Sequence, residues 1–264
     1  MLVLIGAAGC AAIVAAPIAL GATLPLSGAP GGTHSASPSS GSPSPMPSPT
    51  PTPIPTPAVT APSVADLPAN ARALIVGDSF TEGYGATSAS ANWATIAASS
   101  LGWRATIDGV GGTGFTKTTA TDGSTDVGFR QRLLAEARTG SDYDLIVLQG
   151  GLNDLEATAE AEYTAVQQAV RAARTQWPDA VVVVFGPAEP IAQGTARLVH
   201  LATIRTASES AGAVFIDPSS PRAWITERNS DLLDLGDGLH LNDSGYAYLA
   251  ARFVAAFLAV SDLD

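Results

Sequence analysis

Five short apolar runs, each closed by glycine or proline and separated from the next by a stretch with helical spacing, restrict this 264-residue chain more than any other feature. The runs are ARALIVG (71–77), WRATIDG (103–109), DYDLIVLQG (142–150), AVVVVFGP (180–187) and GAVFIDP (212–218). All are rich in Val, Ile or Leu and too short for helices, which predicts strands. Four of the five are apolar on both faces, the pattern of a parallel strand covered by helices on either side. Between and after them, helical patterns occupy 92–101, 129–137, 157–177, 195–211 and 243–259. In the longest, Tyr163, Val166, Val170 and Ala173 recur at spacings of three and four, and Pro178 ends it. The last begins where Asn242 or Asp243 can cap it. Strand and helix in alternation predict one doubly wound α/β domain, a five-stranded parallel sheet flanked by helices, because every parallel connection needs a crossover. Ligands of such sheets bind outside the carboxyl ends of the strands.

Ahead of that domain the composition changes twice. Residues 1–29 form a hydrophobic signal or membrane-anchor segment: the first 27 carry no charge, about the length a bilayer span of roughly 20 residues requires. The usual basic flank is missing, and although Ala7-Ala8-Gly9-Cys10 resembles a lipobox, Cys10 reads as a small cysteine in an apolar helix. It is the only cysteine, so no intrachain disulfide is possible. Residues 30–65 read as a Pro/Ser/Thr-rich disordered linker, semi-rigid and extended, with 11 of the 19 prolines between Pro30 and Pro62. The folded domain is therefore expected over 66–264. Every charged residue lies at or after Asp66, and the net charge of −11 repels phosphate backbones and anionic lipid. A nucleic-acid partner is excluded on that ground, and contact with a membrane is expected only through the N-terminal segment. An extracellular or cell-envelope location and a monomeric state are the matching expectations.

The residues with chemical potential fall at the strand ends. Gly77-Asp78-Ser79 follows the first strand, DGVGGTGF (108–115) the second, GGLND (150–154) the third, and LGDGLHLND (235–243) comes after the fifth and a short helix. Of the three histidines, His34 is in the linker and His200 is mid-helix among apolar neighbours, where a structural role is expected. That leaves His240, with Asp237 three residues before it to fix the tautomer. A histidine so held can take the proton of Ser79 and return it to a leaving alkoxide. Three groups are candidates to stabilise the resulting oxyanion: the backbone N–H of Ser79, the backbone N–H of Gly112 and the side-chain amide of Asn153. Each also has an ordinary reading as a turn or cap residue.

The blocks GDSF, GVGGTG, GLND and DGLH, taken in order, resemble the GDSL or SGNH hydrolase family. The likeness covers essentially all of the folded domain and implies the flavodoxin-like SGNH fold. It also implies Ser79 as nucleophile, His240 as base, Asp237 as its orienting acid, and Ser79, Gly112 and Asn153 as the oxyanion hole. Phe80 stands where the family name has leucine, and the run of glycines leaves the second donor open between Gly111 and Gly112. No cofactor and no metal are implied. The expected substrate is an acyl ester, short-chain or acetyl, on a small molecule or a polysaccharide.

Other readings compete. Gly109, Gly111 and Gly114 fit a dinucleotide fingerprint, but the following TKTTATDGSTD is no helix start. A metal site would have little beyond carboxylates to draw on. A non-catalytic carbohydrate or cell-wall-binding module should have a broken constellation, whereas an acyltransferase would use the same serine chemistry. Trp224 is a candidate sugar or acyl contact, with anchoring of a loop over the core as its ordinary role. Glu189 is a solvated loop carboxylate near the same edge.

Overall fold

A computed structural model describes residues 62–188 and 196–261. The expected segment 1–29, nearly all of the linker expected at 30–65, and the positions Cys10, His34 and Glu189 lie outside them. Five parallel strands form one sheet: β1 (Arg72–Gly77), β2 (Arg104–Gly109), β3 (Leu145–Gln149), β4 (Val181–Phe185) and β5 (Val214–Ile216), in the order β2-β1-β3-β4-β5. Each lies within its predicted run. The helices are α1 (Ser79–Glu82), α2 (Trp93–Ser100), α3 (Phe129–Ala137), α4 (Ala159–Gln176), α5 (Ala196–Ser210), α6 (Ser230–Leu233) and α7 (Asp243–Ser261).

The continuous apolarity of the strands has its reason in two buried faces. Ala73, Ile75, Leu145, Val147, Val181, Val183 and Phe185 face one core, packed by Trp93 of α2 and by Tyr246, Leu249 and Phe253 of α7. Their alternate neighbours Leu74, Val76, Ile146, Leu148, Val182 and Val184 face a second core, with Phe129 of α3, Val166 and Val170 of α4 and Ile204 of α5. The exception is β2, an edge strand that stays largely accessible, which explains why its sequence alone mixes polar and apolar residues. Although α7 is long and apolar enough to span a bilayer, it buries Tyr246, Leu249, Phe253 and Phe257 and is a core helix.

Capping sets the helix limits. Thr158 accepts a hydrogen bond from Ala161 N–H at the start of α4, and the chain turns out of that helix at Trp177, before Pro178. At α7 the cap is Asn242, whose side chain accepts from Gly245 N–H at 2.9 Å. Asp243 instead accepts from the backbone N–H of Thr87 at 2.8 Å, tying the start of α7 to the loop before α2. Trp224 is a core residue rather than a substrate contact: it is 3% exposed, its ring centroid is 5.7 Å from that of Phe185, and Arg252 covers its face.

The strand order positions the site. β1 lies inside the sheet, with β2 on one side and β3 on the other, so the chain reverses its direction of winding between β1 and β3. A crevice opens at such a switch point, outside the carboxyl ends of the two strands. Ser79 follows β1, and Asn153 follows β3.

Candidate active site

Ser79 is the first residue of α1, and the preceding Asp78 caps that helix by accepting from Phe80 N–H at 3.0 Å. The helix lies so close to β2 that a Cβ on Gly109 would fall 1.9 Å from the backbone nitrogen of Glu82. Only glycine permits that approach. Phe80 turns inward, 1% exposed, with its ring edge-on to Tyr246 and 6.0 Å from the imidazole of His240. The position asks for a large apolar side chain, which is why phenylalanine fits where the family name has leucine.

His240 arrives from a loop 161 residues later, and its Nε2 lies 3.0 Å from Ser79 Oγ. Its Nδ1 lies 2.6 Å from Asp237 Oδ2. The other oxygen of Asp237 accepts the backbone N–H groups of Leu239 at 2.9 Å and His240 at 2.7 Å. Partial burial works against ionisation of Asp237, but the backbone N–H of His240, its ring and the Leu239 N–H outweigh it and hold the carboxyl at about 2. The acid is thus ionised and fixed at neutral pH, ready to stabilise an imidazolium.

The loop itself is built by Asp234, which the sequence did not single out. Its Oδ1 accepts from Gly236 N–H at 2.7 Å and Gly238 N–H at 3.2 Å, while Leu235 N–H donates to the carbonyl of His240 at 2.8 Å. Asn242 closes the turn by donating to the carbonyls of Leu232 and Asp234.

Gly112 and Asn153 meet across the crevice from His240. One N–H of the Asn153 amide donates to the carbonyl of Thr113 at 2.8 Å, and among the described residues the second has no partner. Gly112 adopts φ of +78°. Among the described residues, the backbone N–H groups of Ser79, Gly111 and Gly112 have no hydrogen-bond partner. All four groups line one cleft of about 490 Å3, together with Tyr84 and His240. The structure therefore brings together every predicted site residue: Ser79, Asp237, His240, Gly112 and Asn153.

Two buried residues that sequence reasoning missed hold these loops in place. Arg132 of α3 donates to the carbonyl of Gly77 at 2.8 Å, to Asp108 Oδ1 at 3.0 Å and to Thr113 Oγ1 at 3.1 Å, joining the ends of β1 and β2 to the glycine-rich turn. Burial lowers its pKa, opposed by Asp108. Asp154, 1% exposed, accepts from Phe115 N–H at 3.0 Å, Thr116 N–H at 2.7 Å, Thr116 Oγ1 at 2.6 Å and Lys117 N–H at 3.2 Å. It pins the threonine-rich segment after Gly112. The only sequence signal for Asp154 was its place in the GLND block, and for Arg132 a charge on the apolar face of a short helix.

Comparison with known proteins gives this geometry a context. A GDSL lipase of Mycobacterium tuberculosis is 33% identical over 112 residues, which cover 41% of this chain and 47% of that protein, so the matched part spans about half the length of the relative. Among solved structures, a carbohydrate acetylesterase family member from Sinorhizobium meliloti superposes with a TM-score of 0.56 at 18% identity, covering 72% of this chain and 99% of that one. An acetyl-xylooligosaccharide esterase from a Geobacillus species gives 0.53 at 16% identity, over 72% and 95% of the two chains. At such identities these two likenesses speak for the fold alone. The model of the GDSL-like lipase/acylhydrolase family matches residues 75–248, a span that begins inside β1, ends in α7 and takes in all four loop blocks. With two thirds of its length matched in this way, the chain belongs to the GDSL-like lipase/acylhydrolase family.

Proposed function

We propose that the protein is a serine esterase that removes short acyl groups, acetyl above all, from carbohydrate esters, with Ser79, His240 and Asp237 as its catalytic triad. The observation that carries this reading is the unbroken chain of contacts from Asp237 Oδ2 through the two ring nitrogens of His240 to Ser79 Oγ, at 2.6 and 3.0 Å. His240 Nε2 takes the hydroxyl proton as Ser79 Oγ attacks the ester carbonyl. The carbonyl oxygen becomes an oxyanion, which receives the N–H groups of Ser79 and Gly112 and the free N–H of Asn153. Each such donor is worth about 3 kcal/mol of barrier. Collapse expels the alkoxide, which takes the proton from His240, and water then attacks the acyl-serine by the same route in reverse. Gly112 is favoured over Gly111 as the donor because it borders both this cleft and a second one of about 760 Å3 beyond Asn153.

The substrate class rests on the character of those clefts. The second is walled by Thr116, Lys117, Thr118, Thr119, Thr121 and Glu156, groups that hydrogen-bond a polyol, beside Leu152 and Leu155. The similar solved structures support the same reading, one being a carbohydrate acetylesterase family member and another an acetyl-xylooligosaccharide esterase. An exported, surface-tethered enzyme with its folded domain over 66–264 is supported by the uncharged segment 1–29 and the Pro-rich segment 30–65. The test is acid release from p-nitrophenyl acetate, butyrate and octanoate and from acetylated xylan by the full chain and its Ser79→Ala variant. Wild type should act with a preference for acetyl. Octanoate as the best ester would overturn the short-acyl part of the proposal.

A further inference from the structure

The chemistry of the triad divides the cleft into two halves. His240 Nε2 must hand its proton to the leaving oxygen, so the alcohol half of the ester lies on the His240 side, away from the oxyanion donors Gly112 and Asn153. On that side stands Tyr84. The residue is 53% exposed, and its ring centroid lies 4.4 Å from that of His240 at an interplanar angle of 46°. A single exposed aromatic is ordinary in itself. What sets Tyr84 apart is how rigidly it is presented.

Its neighbours Gly83 and Gly85 both have left-handed φ, +84° and +86°, and a Cβ on either would meet Asn92 at 2.7 Å or Leu235 at 2.6 Å. The Tyr84 N–H donates to the carbonyl of Ser79 at 2.9 Å, and its carbonyl accepts from the hydroxyl of buried Tyr246 at 2.7 Å. The backbone is thus clamped to the nucleophile turn and to α7 while the ring projects into the cleft. Among the described residues, its hydroxyl has no hydrogen-bond partner. Glu82 and Asp122 line the same cleft, which has no Lys or Arg among the described residues that line it. Such a wall accepts hydrogen bonds from neutral hydroxyls and repels an anionic alcohol.

We propose that Tyr84 is the platform on which the alcohol half of the ester, a neutral pyranose ring, stacks during acyl transfer. A pyranose has a C–H face and a polar rim, and a tyrosine offers the matching apolar face with a polar edge. The inference rests on the serine-esterase reading, and deepens it by naming what selects the alcohol.

The test compares acetyl release from a methyl xylopyranoside monoacetate and from ethyl acetate, which carry the same acyl group on alcohols with and without a ring. In Tyr84→Ala the ratio of the two kcat/KM values, sugar over ethyl, should fall about tenfold, chiefly through KM for the sugar ester. Tyr84→Phe should keep that ratio within about twofold, since it keeps the face. Equal losses on both esters in Tyr84→Ala would overturn the proposal, leaving Tyr84 as a mere prop for His240. Tyr84→Leu, which retains bulk, reads the same ratio if the alanine variant fails to fold. Wild type active on ethyl acetate and inert on the sugar ester would also overturn it while the serine mechanism stands. Turnover that survives Ser79→Ala would instead remove the serine mechanism itself.

Discussion

His240 and His200 each place Nδ1 against a carboxylate, at 2.6 Å from Asp237 and 3.0 Å from Glu162, yet the two pairs sit in opposite surroundings. Asp237 is on a surface loop with its side chain 40% exposed, and backbone N–H groups satisfy its second oxygen. Glu162 projects from α4 toward α5, its side chain fully buried, and His200 is its hydrogen-bond partner. Burial pushes Glu162 up to about 7 against the pull of His200, whereas its hydrogen bonds hold Asp237 at about 2. The second ring nitrogen decides the rest. That of His240 reaches a serine hydroxyl, while among the described residues that of His200 reaches no hydrogen-bond partner. An acid beside an imidazole is therefore a packing device in one region and, in the reading proposed here, a proton relay in the other. What differs is the third group and the exposure of the acid.

The comparison is broken most sharply by removing the third group. Ser79→Ala should lower kcat/KM on p-nitrophenyl acetate at least about 10³-fold with an unchanged thermal midpoint. Asp237→Asn, which keeps the shape of the loop but loses the charge that stabilises an imidazolium, should cost on the order of 10²-fold in kcat. The equivalent insult to the other pair has the opposite signature. His200→Ala leaves the Glu162 carboxyl buried without its partner, and denaturant unfolding should show a loss of about 2 kcal/mol, with esterase kinetics unaltered. A fall in kcat in that variant would break the distinction between the two pairs.

The pairs also contribute to stability with opposite dependence on pH. Folded Glu162 keeps its proton up to about 7, while the unfolded chain releases it near 4.5, so the folded state binds more protons across that window and stability falls as pH rises through it. Buried Asp78 has the same sign, pushed up to about 7 from 3.8. Asp237 does the reverse: its contribution is present above 3.8 and is lost as pH falls toward about 2. Between pH 3 and pH 8 the dependence of the thermal midpoint should therefore become shallower from about pH 4.5 to 7 in Glu162→Gln, with the Asp78 contribution remaining, and shallower below about pH 4 in Asp237→Asn.

The parts of this account that the sequence showed are those with local signals. The apolar runs marked the strands to within a few residues because the sheet is covered on both faces; Ser79 stood out at a strand end of Gly, Asp and Ser, His240 by elimination among three histidines and Asp237 by its spacing from it, while Gly112 and Asn153 rested on the four ordered blocks that resemble the GDSL or SGNH family. Arg132 and Asp154 were not legible as supports. Both act through partners that only the fold brings near: Arg132 reaches Gly77, 55 positions away, and Asp154 reaches Phe115, 39 positions away, whereas Asp234 binds Gly236 and Gly238 within its own loop and a local turn signal could have found it. Trp224 takes the core-anchoring role the sequence favoured for it, although nothing local shows that Phe185 and Arg252 enclose it. The pinning of Tyr84 could be half-read from the glycines on either side, but not the presence of His240 beside it.

The central claim is that Ser79 is the nucleophile and that His240 activates it. Its most direct test is to treat the full chain and the variants Ser79→Ala and His240→Ala with a fluorophosphonate, then map the adduct by peptide mass. The account predicts one adduct per chain on the peptide carrying Ser79, absent from Ser79→Ala and formed far more slowly in His240→Ala. Labelling that is unchanged in Ser79→Ala, or that maps to another residue, would contradict it.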